Sequence, residues 1–224
     1  MLPVFPLPRR FELIVFDWDG TLMDSATTIV AAVQAASRDV GLAVPTDSQT
    51  RHIIGLGLAD AMAHLFPQLD PAGYQAVADR YRHHFLGGVE KVTLFEGVRE
   101  LLTELSAAGF LLGVATGKSR SGLERDLDAT GLKPLFHATR CADESFSKPH
   151  PAMLLEISEE LGVSVAATLM IGDTTHDLEM ACNASISGVA VSYGAHPREH
   201  LLARQPIACV DSVAGLRAWI AANA

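Results

Sequence analysis

The chain has 224 residues, of which 49% are apolar, so it can bury a sizeable core and hold one large domain or a domain with an insertion. Its 17 basic and 26 acidic residues give a formal net charge of -9, which argues against broad nucleic-acid binding and against attraction to anionic membranes. Cys141, Cys182 and Cys209 are widely spaced and form no CxxC pattern, so they indicate neither a disulfide framework nor a zinc knuckle.

The opening stretch MLPVFPLPRR places its basic pair after a short apolar run broken by three prolines, which is the wrong order for a signal peptide. No later run approaches the roughly eighteen apolar residues of a membrane span. We therefore expect a cytoplasmic protein that acts on small molecules and has neither a nucleic-acid nor a membrane partner.

The first predicted element is a strand over residues 12–17, ELIVFD, whose unbroken apolar run is typical of a strand buried on both faces of a parallel sheet. A helix is predicted next. It starts at Asp24 or Ser25, carries its apolar residues along one face, and stops at Gly41.

Two further helical patterns follow, at residues 58–66 and, after Pro71, at residues 74–85. The region from 23 to 86 is therefore predicted to be all-helical. Gly87 and Gly88 then mark a return linker at residues 87–93.

Helical and strand patterns alternate over the rest of the chain. The predicted strands are LLGVAT, TLMIGD, GVAVSYG and PIACVDS, and the predicted helices are GVRELLTELSAAGF, SGLERDLDATGL, PAMLLEISEELGV and VAGLRAWIAA. Such alternation indicates right-handed βαβ crossovers and a parallel sheet with helices on both faces. We therefore predict an α/β protein with a Rossmann-like core, interrupted after its first strand by a helical insertion.

Polar residues cluster directly after the predicted strands, where open α/β sheets bind their ligands. The four clusters are Asp17-Trp18-Asp19-Gly20-Thr21, Ala115-Thr116-Gly117-Lys118, Ser147-Lys148-Pro149 and Gly172-Asp173-Thr174-Thr175-His176-Asp177. Each alone is explained by a turn, a helix cap or a solvated loop.

Together the clusters describe one chemistry. Carboxylates at Asp17 and Asp173 suit a Mg²⁺ ion that also binds a substrate phosphate oxygen. Thr116, the backbone N–H groups around Gly117, and Lys148 would hold the other phosphoryl oxygens. Asp17 is then free to attack phosphorus.

These clusters resemble the motifs of the haloacid dehalogenase-like (HAD) superfamily of aspartate-nucleophile hydrolases. FDWDGTLMDS resembles the first motif, ATGK the second, SKPHP the third and IGDTTHD the fourth, in the family's order. The chain is most similar to the phosphoglycolate phosphatase and β-phosphoglucomutase group, which carries a helical cap after the first strand. The resemblance implies a cap domain at residues 23–90 and an α/β catalytic core at residues 1–22 and 91–224.

The resemblance also implies a role for each site residue. Asp17 is the nucleophile that forms an aspartyl-phosphate, and Asp19 protonates the leaving oxygen and later deprotonates the attacking water. Asp17, Asp173 and the backbone carbonyl of Asp19 hold Mg²⁺, while Asp177 supports Lys148 or the surroundings of the metal. These roles agree with general chemistry, because a second carboxyl acting as acid and then base serves both halves of a covalent mechanism.

Asp19 points to phosphate-ester chemistry, since the dehalogenases and phosphonatases of the superfamily have a different residue at its position. We therefore predict a Mg²⁺-dependent phosphatase for a small phosphorylated metabolite, either phosphoglycolate-like or a sugar phosphate. Two alternatives stay open, namely β-phosphoglucomutase-like phosphoryl transfer and a non-catalytic phospho-aspartate switch. At Thr21 the chain resembles the phosphatases more than the mutases, and the long insertion and Asp19 argue against a switch.

The predicted cap offers no clear anchor for the far end of the substrate. Related enzymes often present a polar residue in the cap loop, whereas this chain has Ile-Gly-Leu-Gly-Leu at residues 54–58. Arg51, His52, Lys118 and Arg120 could approach that end of the substrate, but we predict solvated surface positions for them, because charged residues are mostly exposed.

Overall fold

The computed structural model describes residues 9–87 and 93–224. Most of the stretch that argued against a signal peptide, and all of the predicted linker between Gly87 and Thr93, lie outside the described residues. In chain order the elements are β1 (Leu13–Phe16), β2 (Met23–Asp24), α1 (Ala26–Asp39), α2 (Asp47–His52), α3 (Leu58–Leu65), α4 (Pro71–Gly87), β3 (Thr93–Leu94), α5 (Val98–Ala107), β4 (Leu111–Thr116), α6 (Arg120–Thr130), β5 (Ala138–Cys141), α7 (Ala152–Glu160), β6 (Thr168–Gly172), α8 (Thr175–Asn183), β7 (Ser187–Val191), α9 (Arg198–Leu202), β8 (Ala208–Val210) and α10 (Val213–Asn223).

Six strands form one parallel sheet in the order β5-β4-β1-β6-β7-β8. The central strand, β1, is fully buried because alternate side chains enter two different cores. Ile14 and Phe16 pack into one core, and Leu13 and Val15 pack into the other. The predicted Rossmann-like parallel core is therefore confirmed.

The order of the strands also creates a crevice. The chain leaves β1 towards β4 and β5 on one side, then crosses back to β6 on the other side. Ligands of open α/β sheets bind at such a switch point, beyond the carboxyl ends of the strands. The residues that follow β1, β4 and β6 are thus brought to one edge.

Several short elements were not predicted from the sequence. Strand β5 was missed because Ala138–Cys141 contains Arg140 and no continuous apolar run. Strands β2 and β3 form a separate antiparallel pair, Met23 opposite Leu94 and Asp24 opposite Thr93. The two connections between the sheet and the helical segment therefore run side by side.

Helices α1, α3 and α4 pack on one another through an apolar cluster separate from the two cores of the sheet. Ile29 and Val33 from α1, Met62 from α3 and Val77 from α4 are all buried there. Helix α1 begins at Ala26 and ends at Asp39, close to its predicted bounds. The division into a core and a cap domain stays a prediction, and its second boundary, at residues 90 and 91, lies outside the described residues.

No helix in the described part of the chain is both long and apolar enough to cross a membrane.

Candidate active site

Asp17 lies at the centre of the site because it follows the central strand. Its backbone N–H donates to the carbonyl of Ile171 at 2.9 Å, which extends the ladder between β1 and β6 by one residue. The side chain is 1% exposed. Its Oδ1 accepts from Lys148 Nζ, whereas its Oδ2 is buried and has no hydrogen-bond partner among the described residues.

Lys148 is buried between two carboxylates. Its Nζ contacts Asp17 and also lies 2.6 Å from Oδ1 of Asp177, and its side chain is 0% exposed. Burial alone would lower the pKa of Lys148, but the charges of Asp17 and Asp177 outweigh burial and raise it. Lys148 therefore stays a cation inside the site. The placement agrees with the predicted support of Lys148 by Asp177.

Asp173 is held rigidly by the loops around it. Its Oδ1 accepts from the Thr21 hydroxyl at 2.8 Å, and its Oδ2 accepts from the Ala195 N–H at 2.7 Å. A Cβ at either Gly20 or Gly194 would lie 2.2 Å from this Oδ2, so both positions require glycine. Gly20 also has a φ of 90°, which glycine adopts without strain.

Asp177 is fixed by the start of helix α8. Its Oδ2 accepts from the backbone N–H of Thr174 at 3.0 Å and from the Thr174 hydroxyl at 2.7 Å. Thr174 in turn caps the helix by accepting from the N–H of Asp177 at 3.3 Å. The structure thus forms a capping box at this motif, and the box orients a carboxylate of the site.

Asp17, Asp173 and Asp177 together form a group that could hold a divalent cation. Each can place one carboxylate oxygen within 4.8 Å of the other two, and all three are buried. Burial raises the pKa of Asp17 above its usual range and raises that of Asp173 to about 7. Three buried carboxylates beside one lysine carry excess negative charge, which a cation would offset. Carboxylate oxygens are the ligands that Mg²⁺ prefers, so the chemistry of this acidic group fits such an ion.

The carboxylate of Asp19 points to a different set of partners. Its Oδ1 accepts from the hydroxyl of Ser25 at 2.7 Å, and both of its oxygens accept from Lys118 Nζ at 3.0 Å. Asp177, rather than the Asp19 carboxylate, therefore completes the acidic group of three. The Asp19 backbone carbonyl as a metal ligand stays a prediction.

The prediction that Lys118 is solvated is wrong. Its side chain is 10% exposed and bridges Asp19 and Asp126, with Nζ 3.2 Å from Oδ2 of Asp126. The indole N–H of Trp18 donates to the same Oδ2 at 3.3 Å. Burial would lower the pKa of Lys118, but Asp19 and Asp126 raise it overall. The sequence did carry a signal that Lys118 belongs to the site, because Lys118 comes two residues after Thr116, at the end of a buried strand.

Ser25 was also missed as a site residue. The sequence assigned it to the start of α1, where serine is a common cap. It does precede Ala26, but its hydroxyl makes no capping bond because it is engaged by Asp19. Of the other predicted surface cations, Arg120 forms an ion pair with Glu144 and has a side chain 29% exposed.

The helical segment contacts the predicted phosphate-binding residues through its loop at 53–57. Thr116 is 1% exposed, and a Cβ on Gly117 would lie 2.4 Å from the carbonyl oxygen of Leu56. The backbone N–H of Gly57 donates to the Ser147 hydroxyl at 2.8 Å, next to Lys148. The loop therefore covers the predicted second and third motifs.

Two histidines that follow strands of the sheet contact the last residue of helix α2, directly before this loop. Nε2 of His176 lies 2.7 Å, and Nε2 of His196 lies 3.3 Å, from the carbonyl oxygen of His52. His196 is 4% exposed, and its Nδ1 accepts from the N–H of Thr175 at 3.0 Å. His196 is thus neutral with its proton on Nε2, and burial lowers its pKa to about 4.

A cavity of about 470 Å³ lies between the helical segment and the sheet edge. Asp17, Asp19, Thr116, Gly117 and Lys118 line its polar end. The predicted nucleophile, the predicted acid and part of the predicted phosphate site therefore face one space.

Residues 14–191 match the model of the haloacid dehalogenase-like hydrolase family. The chain belongs to this family. The match includes all four motifs on which the resemblance was based, so that resemblance is confirmed, and the protein is a hydrolase by family.

Curated relatives of this family member cover most of its length. It is 36% identical to "Probable phosphatase IndB" of Dickeya dadantii, over 89% of both chains. It is 30% identical to N-acetylmuramic acid 6-phosphate phosphatase of Pseudomonas aeruginosa, over 85% of this chain and 86% of the relative. It is 29% identical to phosphoglycolate phosphatase of Agrobacterium fabrum, over 91% of this chain and 90% of the relative.

The fold is likewise shared with solved structures. A hydrolase from Pseudomonas syringae superposes with a TM-score of 0.86 at 20% identity, over 95% of this chain and 98% of that one. At this identity the similarity establishes the fold alone. The predicted HAD fold is confirmed.

Proposed function

We propose that the protein is a phosphatase that hydrolyses a small phosphorylated metabolite through an aspartyl-phosphate at Asp17. The observation that carries this proposal is the buried carboxylate of Asp17, which faces the cavity with one oxygen bound to Lys148 and the other without a partner. An unpartnered carboxylate oxygen beside a fixed cation is suited to attack a phosphoryl group that the cation helps to hold. The phosphatase names of the relatives support the same chemistry.

The first half of the proposed reaction forms a covalent intermediate. Oδ2 of Asp17 attacks phosphorus, the bond between phosphorus and the ester oxygen breaks, and Asp19 gives its proton to the leaving alcohol. Thr116, the backbone N–H groups around Gly117, and Lys148 hold the phosphoryl oxygens. Lys148 and these donors lie in a buried site, where charge stabilisation is stronger than in water.

The second half releases inorganic phosphate. Asp19, now a carboxylate, takes a proton from a water molecule, the water oxygen bonds to phosphorus, and the bond between phosphorus and Asp17 breaks. The same residue thus acts first as acid and then as base. Both halves need Asp19 to face the reacting oxygens, and its contacts with Ser25 and Lys118 keep it oriented.

Asp17, Asp173 and the backbone carbonyl of Asp19 are the proposed ligands of a Mg²⁺ cofactor, with Asp177 beside them. When bound, Mg²⁺ reduces the repulsion between the carboxylates and the phosphate dianion. The excess negative charge of the acidic group supports this assignment.

We further propose that residues 23–90 form a cap over the site and that the protein is cytoplasmic. Support for the cap comes from the helical segment between β2 and β3, whose loop covers Gly117 and whose helices line the cavity. Support for the location comes from the three cysteines, none of which forms a disulfide.

The proposal is tested by inorganic phosphate release from a panel of phosphorylated metabolites with and without Mg²⁺. The wild type should release phosphate over many turnovers, whereas Asp17→Asn should lose about 10⁴-fold or more in kcat. Mass spectrometry of enzyme trapped during turnover should place the phosphoryl group on Asp17. A single stoichiometric labelling would favour the phospho-aspartate switch, and transfer back to the sugar without phosphate release would favour a mutase.

A further inference from the structure

We propose that the leaving group is an uncharged alcohol with an extended apolar face, and that small carboxylated esters such as phosphoglycolate are poor substrates. This inference rests on the proposed phosphatase function and specifies its substrate class. It concerns the wall of the cavity opposite Asp17, which the four motifs leave undetermined.

The size of the cavity favours a bulky leaving group. Its volume is about 470 Å³, within the range of about 300–1,000 Å³ that typically holds drug-sized ligands. A phosphate group and a two-carbon acid would fill only a small part of this space. The remaining space lies on the side of the helical segment.

The wall formed by the helical segment is mainly apolar. Its side chains come from α1, the loop before α3, α3 and α4, and they are Ile29, Val33, Ile53, Ile54, Leu56, Leu58, Met62, Phe85 and Leu86. Hydrophobic side chains gain from contact with an apolar ligand surface, by about fourfold in affinity for each buried methylene. A carboxylate placed against them would lose its hydration without a compensating partner.

Two aromatic side chains give this wall a flat surface. Tyr81 and Phe85 stack with their ring centres 5.6 Å apart and an angle of 28° between the rings. Both line the cavity, and the Tyr81 hydroxyl makes no hydrogen bond with any residue in the described ranges. A ring in the leaving group could pack on this pair, and an uncharged polar group on it could bond to the free hydroxyl.

The charged residues of the cavity leave no strong anchor for a carboxylate. Among the described residues, its lining contains the cations Arg82, Lys118 and Arg125. Lys118, the only one of them that is largely buried, is shared by Asp19 and Asp126. Arg82 and Arg125 are already ion-paired, with Asp79 and Asp126 respectively.

The test compares 2-phenylethyl phosphate with phosphoglycolate under saturating Mg²⁺, by inorganic phosphate release. We expect kcat/KM for the phenylethyl ester to be at least about tenfold higher. Phe85→Ala should lower the ratio of the two kcat/KM values by about tenfold, because the apolar face of the ester loses its packing partner.

A charge-insertion variant keeps the inference falsifiable if Phe85→Ala does not fold. Leu86 is 58% exposed at the cavity, so Leu86→Arg changes the surface without disturbing the core. It should raise kcat/KM for phosphoglycolate about fivefold or more. Leu202→Arg is its matched control, because Leu202 is 48% exposed on α9 and does not line the cavity. This control variant should change kcat/KM for neither ester.

The outcomes separate this inference from the proposed function. Preference of the wild type for phosphoglycolate, or a ratio that neither Phe85→Ala nor Leu86→Arg changes, would overturn the inference and leave the phosphatase proposal intact. Absence of phosphate release from both esters and from the wider metabolite panel would overturn the proposed function and this inference with it.

Discussion

Lys118 holds both carboxylate oxygens of Asp19 at 3.0 Å from its ammonium nitrogen. The same ammonium lies 3.2 Å from Asp126 and 4.9 Å from the centre of the Phe85 ring on helix α4. Lys118 thus joins the proposed acid to a buried carboxylate behind it and to the helical segment above it. This arrangement makes Lys118 a positioning residue for Asp19.

Replacing Lys118 with methionine should lower kcat about 10- to 100-fold for an alkyl phosphate and change KM only a few-fold. Asp19 would lose the cation that orients it, so protonation of the leaving alkoxide would become inefficient. The loss should be much smaller with p-nitrophenyl phosphate, whose leaving group needs little protonation. Steady-state kinetics with both esters measure this difference.

The control for that variant is Lys133→Met. The Lys133 side chain is 57% exposed and makes only a 3.9 Å contact with Asp128. Its loss should therefore leave kcat and KM unchanged for both esters. An equal loss for the alkyl and nitrophenyl esters in Lys118→Met would show that Lys118 acts on folding or binding and not on Asp19.

Gly117→Ala should prevent the helical segment from covering the site. The added Cβ would lie 2.4 Å from the Leu56 carbonyl oxygen and 2.6 Å from the Gly55 carbonyl oxygen, and backbone atoms cannot move aside cheaply. We expect kcat/KM to fall at least about tenfold, because closure excludes water and completes the site. Enzyme assays and thermal unfolding of the same preparation provide the measurement.

Gly87→Ala is the matched control for Gly117→Ala. A Cβ at Gly87 meets nothing within 4 Å, so the activity of the Gly87→Ala enzyme should equal that of the wild type. Full activity of a folded Gly117→Ala enzyme would contradict the proposed covering role of the 53–57 loop.

Mg²⁺ should stabilise the folded protein in the absence of substrate. Binding of the ion by buried carboxylates removes part of their mutual repulsion. At a free Mg²⁺ concentration of 100 times Kd, binding adds about 2.7 kcal/mol to the free energy of unfolding. This corresponds to a rise in Tm of roughly 5–10 °C for a chain of this size. Differential scanning fluorimetry with Mg²⁺ and with EDTA measures it.

The rise should disappear in Asp173→Asn, which removes one proposed ligand. It should persist in Asp128→Asn, since the Asp128 side chain is 69% exposed and is not part of the acidic group. A Mg²⁺-dependent rise of unchanged size in Asp173→Asn would place the ion elsewhere.

His196 should make the protein less stable as the pH falls from about 6.5 to about 4. Burial lowers its pKa in the folded state to about 4, whereas the unfolded chain has the ordinary value of about 6.5. In this window the unfolded state therefore binds more protons, so the free energy of unfolding decreases with falling pH. The contribution is on the order of 3 kcal/mol.

Urea unfolding of the wild type and of His196→Asn at several pH values isolates this contribution. Asparagine can keep an acceptor near the N–H of Thr175 but does not titrate. The difference in the free energy of unfolding between the two proteins should therefore shrink as the pH falls. A pH-independent difference would mean that the pKa of His196 is the same in the folded and the unfolded state.

Local sequence patterns were sufficient to predict the framework of this protein. Three such patterns were the apolar run before Asp17, the periodicity of α1 and α4, and the alternation after residue 93. Each depends on near neighbours in the sequence, whose geometry follows from the strand and helix periods. The fold class and the positions of Asp17, Asp19 and Asp173 at strand ends followed from them.

The partners of these residues depended on the tertiary structure. Lys148 reaches Asp17 across 131 positions, Thr21 reaches Asp173 across 152, and Lys118 reaches Asp19 across 99. Such pairs depend on the order of the strands in the sheet, which no local pattern encodes. For that reason Asp177 joins the acidic group and Lys118 is buried, whereas charge alone had suggested that Lys118 is solvated.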